Sequence, residues 1–181
     1  MTRARSVLVL GGARSGKSAF AQKLAEETAL ERLYLATGSA GDDEMAARIA
    51  RHQARRGAGW STREEALGLA AALEAEARTG RVVLVDCLTL WLSNCLFADM
   101  DLARESARLC AALGALKGPV VLVSNEVGSG IVPDTKLGRE FRDFQGRLNQ
   151  DVARVCDSVV LVAAGLPTLL KPAPALRIAL R

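Results

Sequence analysis

The sequence predicts an α/β fold in which a mainly parallel β-sheet carries helices on both faces. Short apolar runs alternate along the chain with segments of helical pattern. The runs at 81–86 and 120–124 are continuous and β-branched, as in parallel strands that are covered on both faces. Right-handed crossovers then bring the loops that follow the strands to one edge of the sheet. We expect ligands to bind at that edge.

A glycine-rich segment follows the first apolar run, at 6–10, and precedes a helical pattern that begins at Ala19. The segment reads Gly11-Gly12-Ala13-Arg14-Ser15-Gly16-Lys17-Ser18, which fits the pattern Gly-x4-Gly-Lys-Ser. Backbone N–H groups of such a loop and of the helix N-terminus bind phosphate. Lys17 would reach the β- and γ-phosphates, and the Ser18 hydroxyl would hold Mg²⁺. The motif predicts a nucleotide-binding site in a P-loop NTPase-like, RecA-like sheet.

Composition excludes several other classes of protein. The chain of 181 residues suits one domain, 1–181, and its net charge of +4 with 4% aromatic residues argues against a nucleic-acid binder. Four cysteines without a Cys-x-x-Cys pair indicate reduced thiols. No apolar stretch approaches the roughly 20 residues of a membrane span, and no secretory signal is recognisable. We expect a cytoplasmic protein.

The other predicted elements follow in order. Strands are predicted at 33–37, 81–86, 120–124 and 158–162. Helices are predicted at 42–56, 66–77, 102–113 and 137–155. Residues 60–64 are interpreted as a loop and a helix start, and 165–167 as a turn. The tail at 176–180, in which apolar residues recur at every second position, is predicted to be a last edge strand at the C-terminus, antiparallel to its neighbour.

Polar residues follow the predicted strands at the expected ligand edge. Asp86 ends an apolar strand, which fits the acid that holds Mg²⁺ in P-loop proteins; a plain strand-end cap is the alternative. Thr37 fits either a nucleotide contact or a helix-capping hydroxyl. Asn125 and Glu126 fit a contact with Mg²⁺ or a second substrate, or else a turn stiffened by the following glycines.

His52 is the only histidine of the chain and falls in the predicted helix 42–56. Arg48 and Arg55 adjoin it on the helical wheel, and their charge would keep the imidazole neutral near pH 7. A neutral imidazole can attack a phosphoryl centre. A single helical histidine is more often structural, so the residues alone leave both readings open.

Several further segments, taken with the glycine-rich loop, resemble one known family. They are Tyr34-Leu35-Ala36-Thr37, Asp43-Glu44-Met45, Arg48-Ile49, His52, Trp60, Asp86-Cys87-Leu88-Thr89-Leu90-Trp91, Ser124-Asn125-Glu126-Val127-Gly128-Ser129-Gly130, Arg142-Asp143, Gly146-Arg147-Leu148-Asn149-Gln150 and Gly165-Leu166-Pro167. From about residue 7 to 171 the chain resembles the bifunctional adenosylcobinamide kinase/adenosylcobinamide-phosphate guanylyltransferase of cobalamin biosynthesis.

The resemblance implies a two-step enzyme. A nucleoside triphosphate, ATP or GTP, phosphorylates adenosylcobinamide; GTP then donates GMP through a guanylylated histidine, which falls on His52, to adenosylcobinamide phosphate. Lys17 is the second catalytic residue, and Ser18 and Asp86 would hold Mg²⁺. The nucleotide contacts implied outside the P-loop are Ala36, Thr37, Gly38, Gln53, Ala54, Arg55, Arg56, Glu64 and Asp86. Relatives also imply a homo-oligomer, with a trimer as the expected number.

Some points stay open at this level. Arg51 stands where some relatives carry a second histidine, and Asp86 where relatives carry Glu. Arg55 and Arg56 fit a clamp on pyrophosphate or a solvated helix face. Arg142, Asp143 and Arg147 fit an ion-pair lattice at a subunit contact or a substrate contact.

Two other functions compete with the bifunctional enzyme. A plain P-loop small-molecule kinase would leave His52 structural and form no covalent nucleotide adduct. A nucleotide switch without transferase activity would hydrolyse slowly and would not explain the loop at 125–133.

Overall fold

The computed structural model describes residues 4–38 and 59–173. In that part of the chain, the strands are β1 (Ser6–Gly11), β2 (Glu31–Ala36), β3 (Trp60–Glu64), β4 (Arg81–Asp86), β5 (Val120–Asn125), β6 (Ser158–Ala163) and β7 (Leu166–Lys171). The helices are α1 (Lys17–Glu26), α2 (Leu69–Glu76), α3 (Leu88–Phe97), α4 (Leu102–Gly114) and α5 (Lys136–Val155). None of the helices described is both long enough and apolar enough to cross a membrane.

The strands form one sheet in the order β3-β2-β4-β5-β1-β6-β7. All neighbours in it are parallel except β6 and β7, which form an antiparallel pair at one edge. The fold is therefore the P-loop NTPase-like sheet with an antiparallel edge that the sequence predicts. That edge strand is β7, however, and the predicted strand at 176–180 lies outside the described residues.

The two faces of the sheet are covered unequally by the described helices. Side chains such as Val9, Val121 and Val123 pack under α1, whose Ala21 and Ala25 are fully buried. The opposite face carries the larger core, in which Leu8, Leu35, Val83 and Leu122 of the strands meet Leu73, Trp91, Leu109 and Leu148 of α2 to α5. The small alanines let α1 approach the sheet closely, which places its N-terminus at the end of β1.

Most predicted elements agree with the structure. The strands at 81–86, 120–124 and 158–162 are confirmed as β4, β5 and β6, and the strand at 33–37 as β2, which begins two residues earlier. The helices at 66–77, 102–113 and 137–155 are confirmed as α2, α4 and α5, although α2 begins only at Leu69. The predicted helix 42–56 lies outside the described residues.

Two assignments were wrong. Residues Trp60–Glu64 form strand β3 and not a loop with a helix start. The sequence did not reveal this strand because it is a mostly exposed edge strand, which needs no alternation of apolar and polar residues. The turn predicted at 165–167 lies one residue earlier and is shorter: Ala164 and Gly165 form it, and β7 already starts at Leu166. Pro167 is compatible with β7 because β7 is an edge strand, which has a neighbouring strand on one side only and tolerates a residue without a backbone N–H.

Candidate active site

The glycine-rich loop joins β1 to α1 at the centre of the sheet. β1 ends at Gly11 and α1 begins at Lys17, while Gly16 between them takes a left-handed conformation with φ 93°. The Ser15 N–H donates to the Gly12 carbonyl at 3.3 Å, and the N-cap residue Gly16 has no side chain with which to cap α1. The first-turn N–H groups of α1 therefore point out of the helix without an acceptor on the N-cap residue, which is the geometry that binds phosphate.

Two glycines of the loop are required by its packing. A Cβ on Gly11 would collide with Ser15 Oγ and lie 2.5 Å from the Val162 carbonyl oxygen. Gly16 needs its positive φ, and a Cβ there would lie 3.1 Å from Gly165 Cα. The Gly165 N–H also donates to the Ser15 carbonyl at 2.8 Å, so the β6–β7 turn braces the loop. By contrast, a Cβ on Gly12 would meet no atom of the described part of the chain within 4 Å.

Lys17 folds back over the loop that it follows. Its side chain is buried, and its Nζ donates to the Gly12 carbonyl at 3.1 Å. Ser18, the next residue of α1, is half-buried beside it. The ammonium group and the hydroxyl thus lie at the mouth of the loop, where the phosphates of a bound nucleotide would be.

Glu64, Ala36 and Asp86 form a row across the carboxyl ends of three strands. Ala36 of β2 pairs with Glu64 of β3 on one side and with Asp86 of β4 on the other. Neighbouring strands lie about 4.8 Å apart, so the two acidic residues are separated by roughly 10 Å of backbone. The Tyr34 hydroxyl donates to Asp86 Oδ2 at 3.1 Å and orients that carboxylate.

Thr37 is wholly buried, and its hydroxyl forms hydrogen bonds with the backbone directly after β4. It donates to the Cys87 carbonyl at 2.7 Å and accepts from the Cys87 N–H at 2.8 Å. Asn94 of α3 donates to the Thr37 carbonyl at 2.7 Å, which fixes this turn further. The hydroxyl thus fixes the backbone of Cys87, the residue at which α3 begins. Gly38 follows it, half-buried, beside Leu90.

The Cys87 thiol is the nucleophilic side chain nearest to Asp86 in sequence, and it is inert. Burial, and after it the Asp86 carboxylate, raise the pKa of Cys87 to about 11, which the Lys17 charge opposes only in part. A thiol with that pKa is protonated at neutral pH and is a weak nucleophile. Cys87 is therefore a poor candidate for a covalent role.

The end of β5 is held by a buried polar network from α5. Ser124 Oγ donates to Asn149 Oδ1 at 2.6 Å, and Gln145 Nε2 donates to both of these oxygens at 3.0 Å. Asn149 Nδ2 donates in turn to the Asn125 carbonyl at 3.0 Å. The Glu126 N–H then donates to the Gly11 carbonyl at 3.1 Å, so the network connects α5 to the start of the glycine-rich loop.

The described part of the predicted site therefore assembles at one edge. The glycine-rich loop from Gly11 through Gly12, Ala13, Arg14, Ser15 and Gly16 to Lys17 and Ser18 lies there, together with Ala36, Thr37, Gly38, Glu64 and Asp86. His52, Gln53, Ala54, Arg55 and Arg56 lie outside the described residues. Sequence reasoning missed the supporting roles of Tyr34, Asn94, Gln145 and Asn149, which depend on neighbours far along the chain.

Ser18 and Asp86 offer the oxygen ligands that Mg²⁺ prefers. The Asp86 carboxylate is half-buried and oriented by Tyr34, and Ser18 is the second residue of α1, directly after Lys17. Among residues 4–38 and 59–173 no cluster of three His, Cys, Asp or Glu side chains forms a metal site. That is consistent with a P-loop metal, for which one hydroxyl, one carboxylate and nucleotide oxygens suffice.

Comparison with known proteins decides the family. The family model described as cobinamide kinase / cobinamide phosphate guanyltransferase matches residues 7–170. The chain belongs to this family. It is an enzyme of the bifunctional type, a kinase and guanylyltransferase, as the resemblance of its motifs implied.

The relatives agree over nearly their whole length. The chain is 52% identical over 171 residues to the bifunctional adenosylcobalamin biosynthesis protein CobP of Pseudomonas aeruginosa, covering 92% of this chain and 98% of the relative. It is 40% identical over 180 residues to the protein CobU of the same description from Escherichia coli, covering 91% and 99%. A solved protein of Pyrococcus horikoshii, PH0250, shares the fold with a TM-score of 0.52 at 9% identity, covering 93% of this chain and 87% of that protein.

Proposed function

We propose that this enzyme first phosphorylates adenosylcobinamide with ATP or GTP and then transfers GMP from GTP, through His52, to the phosphorylated product. The observation that carries the proposal is the phosphate cradle at Gly11 to Ser18, with uncapped N–H groups and Lys17 at its mouth, in a chain of this family. The products would be adenosylcobinamide-GDP and pyrophosphate.

In the first transfer the aminopropanol hydroxyl of adenosylcobinamide attacks the γ-phosphorus. A new P–O bond forms, the bond from the γ-phosphorus to the β,γ-bridging oxygen breaks, and the hydroxyl proton leaves as the nucleoside diphosphate departs. Lys17 and the N–H groups of α1 bind the phosphate oxygens on which charge develops. Mg²⁺ held by Ser18 and Asp86 would neutralise charge on the same oxygens.

In the second transfer a neutral nitrogen of His52 attacks the α-phosphorus of GTP. A P–N bond forms as the bond to the bridging oxygen breaks, and pyrophosphate leaves. Arg55 and Arg56, three and four residues further on in the sequence, supply charge for the departing pyrophosphate. A phosphate oxygen of the acceptor then attacks the α-phosphorus, the P–N bond breaks, and the histidine is regenerated. His52 is the only histidine of the chain, so no other histidine can be the nucleophile.

Covalent labelling tests this proposal. The protein is incubated with Mg²⁺ and GTP labelled at the α-phosphate, beside His52→Ala and, as a control, Arg51→Ala. We expect label on the wild type and on Arg51→Ala that resists alkali and releases GMP in acid, and none on His52→Ala. GTP labelled at the γ-phosphate should leave every variant unlabelled.

The contrary result is equally clear. A wild type that binds GTP and stays unlabelled, while it still phosphorylates adenosylcobinamide, would contradict the histidine mechanism. The plain kinase with a structural His52 would then replace it.

A further inference from the structure

A polar cleft opens between the loop after β5 and the outer side of α5. Its volume is about 440 Å³, and it is lined by Gly128, Arg142, Asp143, Gly146, Arg147 and Gln150. We call it the α5 cleft. None of its residues takes part in the phosphate cradle described above.

The α5 cleft lies at the same edge of the sheet as the glycine-rich loop. α5 connects the end of β5 to the start of the parallel strand β6, so it runs back against the strand direction. Gln145 and Asn149 already contact Ser124 and the Asn125 carbonyl at the carboxyl end of β5. Arg142 lies three residues, about one turn, before Gln145, and Gly146 lies three residues before Asn149. Both are therefore level with the carboxyl end of β5 or beyond it.

The loop on the other wall of the cleft touches the phosphate cradle directly. Glu126 donates its N–H to the Gly11 carbonyl at 3.1 Å, and its Oε1 accepts from the Gly128 N–H at 3.2 Å. Gly128 in the wall of the cleft thus lies only two positions after Glu126, the residue that bonds directly to the start of the cradle.

The charge of the α5 cleft suits an anion. Arg142 Nε lies 3.6 Å from Asp143 Oδ1, which orients that guanidinium from one side. The Arg147 guanidinium carbon lies 5.9 Å from the Phe144 ring centroid, and in residues 4–38 and 59–173 it has no carboxylate partner. Among the lining residues, two guanidinium groups stand against the one carboxylate of Asp143, while the Glu126 carboxylate behind the wall accepts from the Gly128 N–H. The planar guanidinium fork matches phosphate oxygens.

Gly146 leaves open space in the wall of the cleft for which packing within the described residues gives no reason. It lies inside α5, its φ is not positive, and a Cβ there would meet no atom of residues 4–38 and 59–173 within 4 Å. Glycine inside a helix weakens that helix relative to alanine. A bound ligand that needs the space beside Arg142 and Arg147 explains this choice of residue.

We propose that the α5 cleft binds the phosphate monoester of the acceptor, adenosylcobinamide phosphate, during guanylyl transfer. This rests on the proposed function, in which that phosphate oxygen attacks the α-phosphorus and the P–N bond to His52 breaks. Arg142 and Arg147 bind the acceptor phosphate and reduce its repulsion from the guanylyl phosphate, which is also an anion. Donor and acceptor phosphates then meet at one edge from two neighbouring sites.

The test separates the two halves of guanylyl transfer. Arg142→Met, Arg147→Met and Gly146→Leu are each compared with wild type for label uptake from GTP alone, and then for transfer to adenosylcobinamide phosphate at varied concentration. We expect unchanged label uptake and a KM for the acceptor raised about 10- to 100-fold, the usual effect of losing a hydrogen bond between charged groups. Arg147→Lys should recover part of the loss.

Two controls match the variants in kind. Arg154→Met removes an exposed arginine of the same helix that pairs with Asp151 outside the cleft. Gly114→Leu changes an exposed glycine at the end of α4, where a Cβ would also meet nothing within 4 Å. Both should keep the wild-type KM for the acceptor.

Each other outcome overturns a specific statement. An unchanged acceptor KM in all three cleft variants would overturn the α5 cleft as the acceptor site, and so would loss of label uptake in them. A smaller oligomer on size-exclusion chromatography, together with the raised KM, would overturn it in favour of a contact between subunits. A wild type that takes up no label would contradict the proposed function itself and not the cleft.

Discussion

The glycine-rich loop and the α5 cleft share one edge of the sheet but are built in different ways. The loop presents backbone N–H groups, and its shape depends on Gly11 and Gly16, which tolerate no Cβ without movement. The α5 cleft presents side chains from a regular helix, and its Gly146 has free space around it. A donor that must be held in one geometry fits the first construction, and a larger acceptor that arrives and leaves fits the second.

Lys17→Ala gives the largest expected effect on the donor side. We expect both transfers to slow by about 100- to 1000-fold, the usual loss for one charged donor at a developing negative charge. Lys23→Ala, at an exposed position of the same helix, should behave as wild type. Rates of γ-phosphate transfer and of GMP transfer check this. A loss confined to one transfer would show that the two reactions do not share the cradle.

A comparison of Gly11→Ala with Gly12→Ala tests whether stability and GTP binding require the shape of the glycine-rich loop. The new Cβ at Gly11 meets the Val162 carbonyl oxygen at 2.5 Å, so we expect destabilisation by about 1–3 kcal/mol and weak GTP binding. Gly12→Ala meets nothing within 4 Å and should keep the stability of wild type. Urea unfolding and GTP titration measure both. Equal effects at the two positions would contradict the role given to Gly11.

Asn149→Ala tests the network that connects the two regions. The variant leaves the buried Ser124 hydroxyl, the Gln145 amide and the Asn125 carbonyl short of a partner. We expect a loss of about 1–3 kcal/mol in the free energy of unfolding. The exposed neighbour Gln150→Ala should change it by less than about 0.5 kcal/mol. A stable Asn149→Ala would mean that the network does not hold the edge together.

Gly146→Ala gives the smallest expected effect, and one of opposite sign to Gly11→Ala. With open space at its Cβ position, the variant should gain about 1 kcal/mol of stability from helix propensity. Thermal unfolding checks the sign. A destabilised Gly146→Ala would show that packing requires this glycine, and the contrast between the two regions would fail.

The same difference in construction explains what the sequence could predict. The glycine-rich loop is a local pattern between a strand and a helix, so its place at the end of β1 follows from about a dozen consecutive residues. Asp86 likewise follows a strand that its own residues identify. In the Ser124–Gln145–Asn149 network, Ser124 bonds to residues 21 and 25 positions further on, and the α5 cleft brings Gly128 together with residues of a helix that begins at Lys136. No local sequence pattern predicts such contacts.

Two elements and the contacts of one residue escaped prediction for physical reasons. Helix α3 (Leu88–Phe97) was not predicted because it is apolar on nearly every side, so its sequence lacks the alternation of an amphipathic helix. Strand β3 (Trp60–Glu64) is a mostly exposed edge strand of polar residues. The role of Thr37 depended on the Cys87 backbone, 50 residues away, and its two hydrogen bonds there could not be predicted.

One double-label experiment tests the central claim most directly, namely that this chain performs both transfers. Adenosylcobinamide is incubated with the enzyme, Mg²⁺, ATP and GTP, with one isotope at the γ-phosphates of both nucleotides and another at the α-phosphate of GTP. We predict a corrinoid that carries the γ label first and then both labels in equal amounts. A corrinoid that carries only the γ label at completion would contradict guanylyl transfer, and one with neither label would contradict the account as a whole.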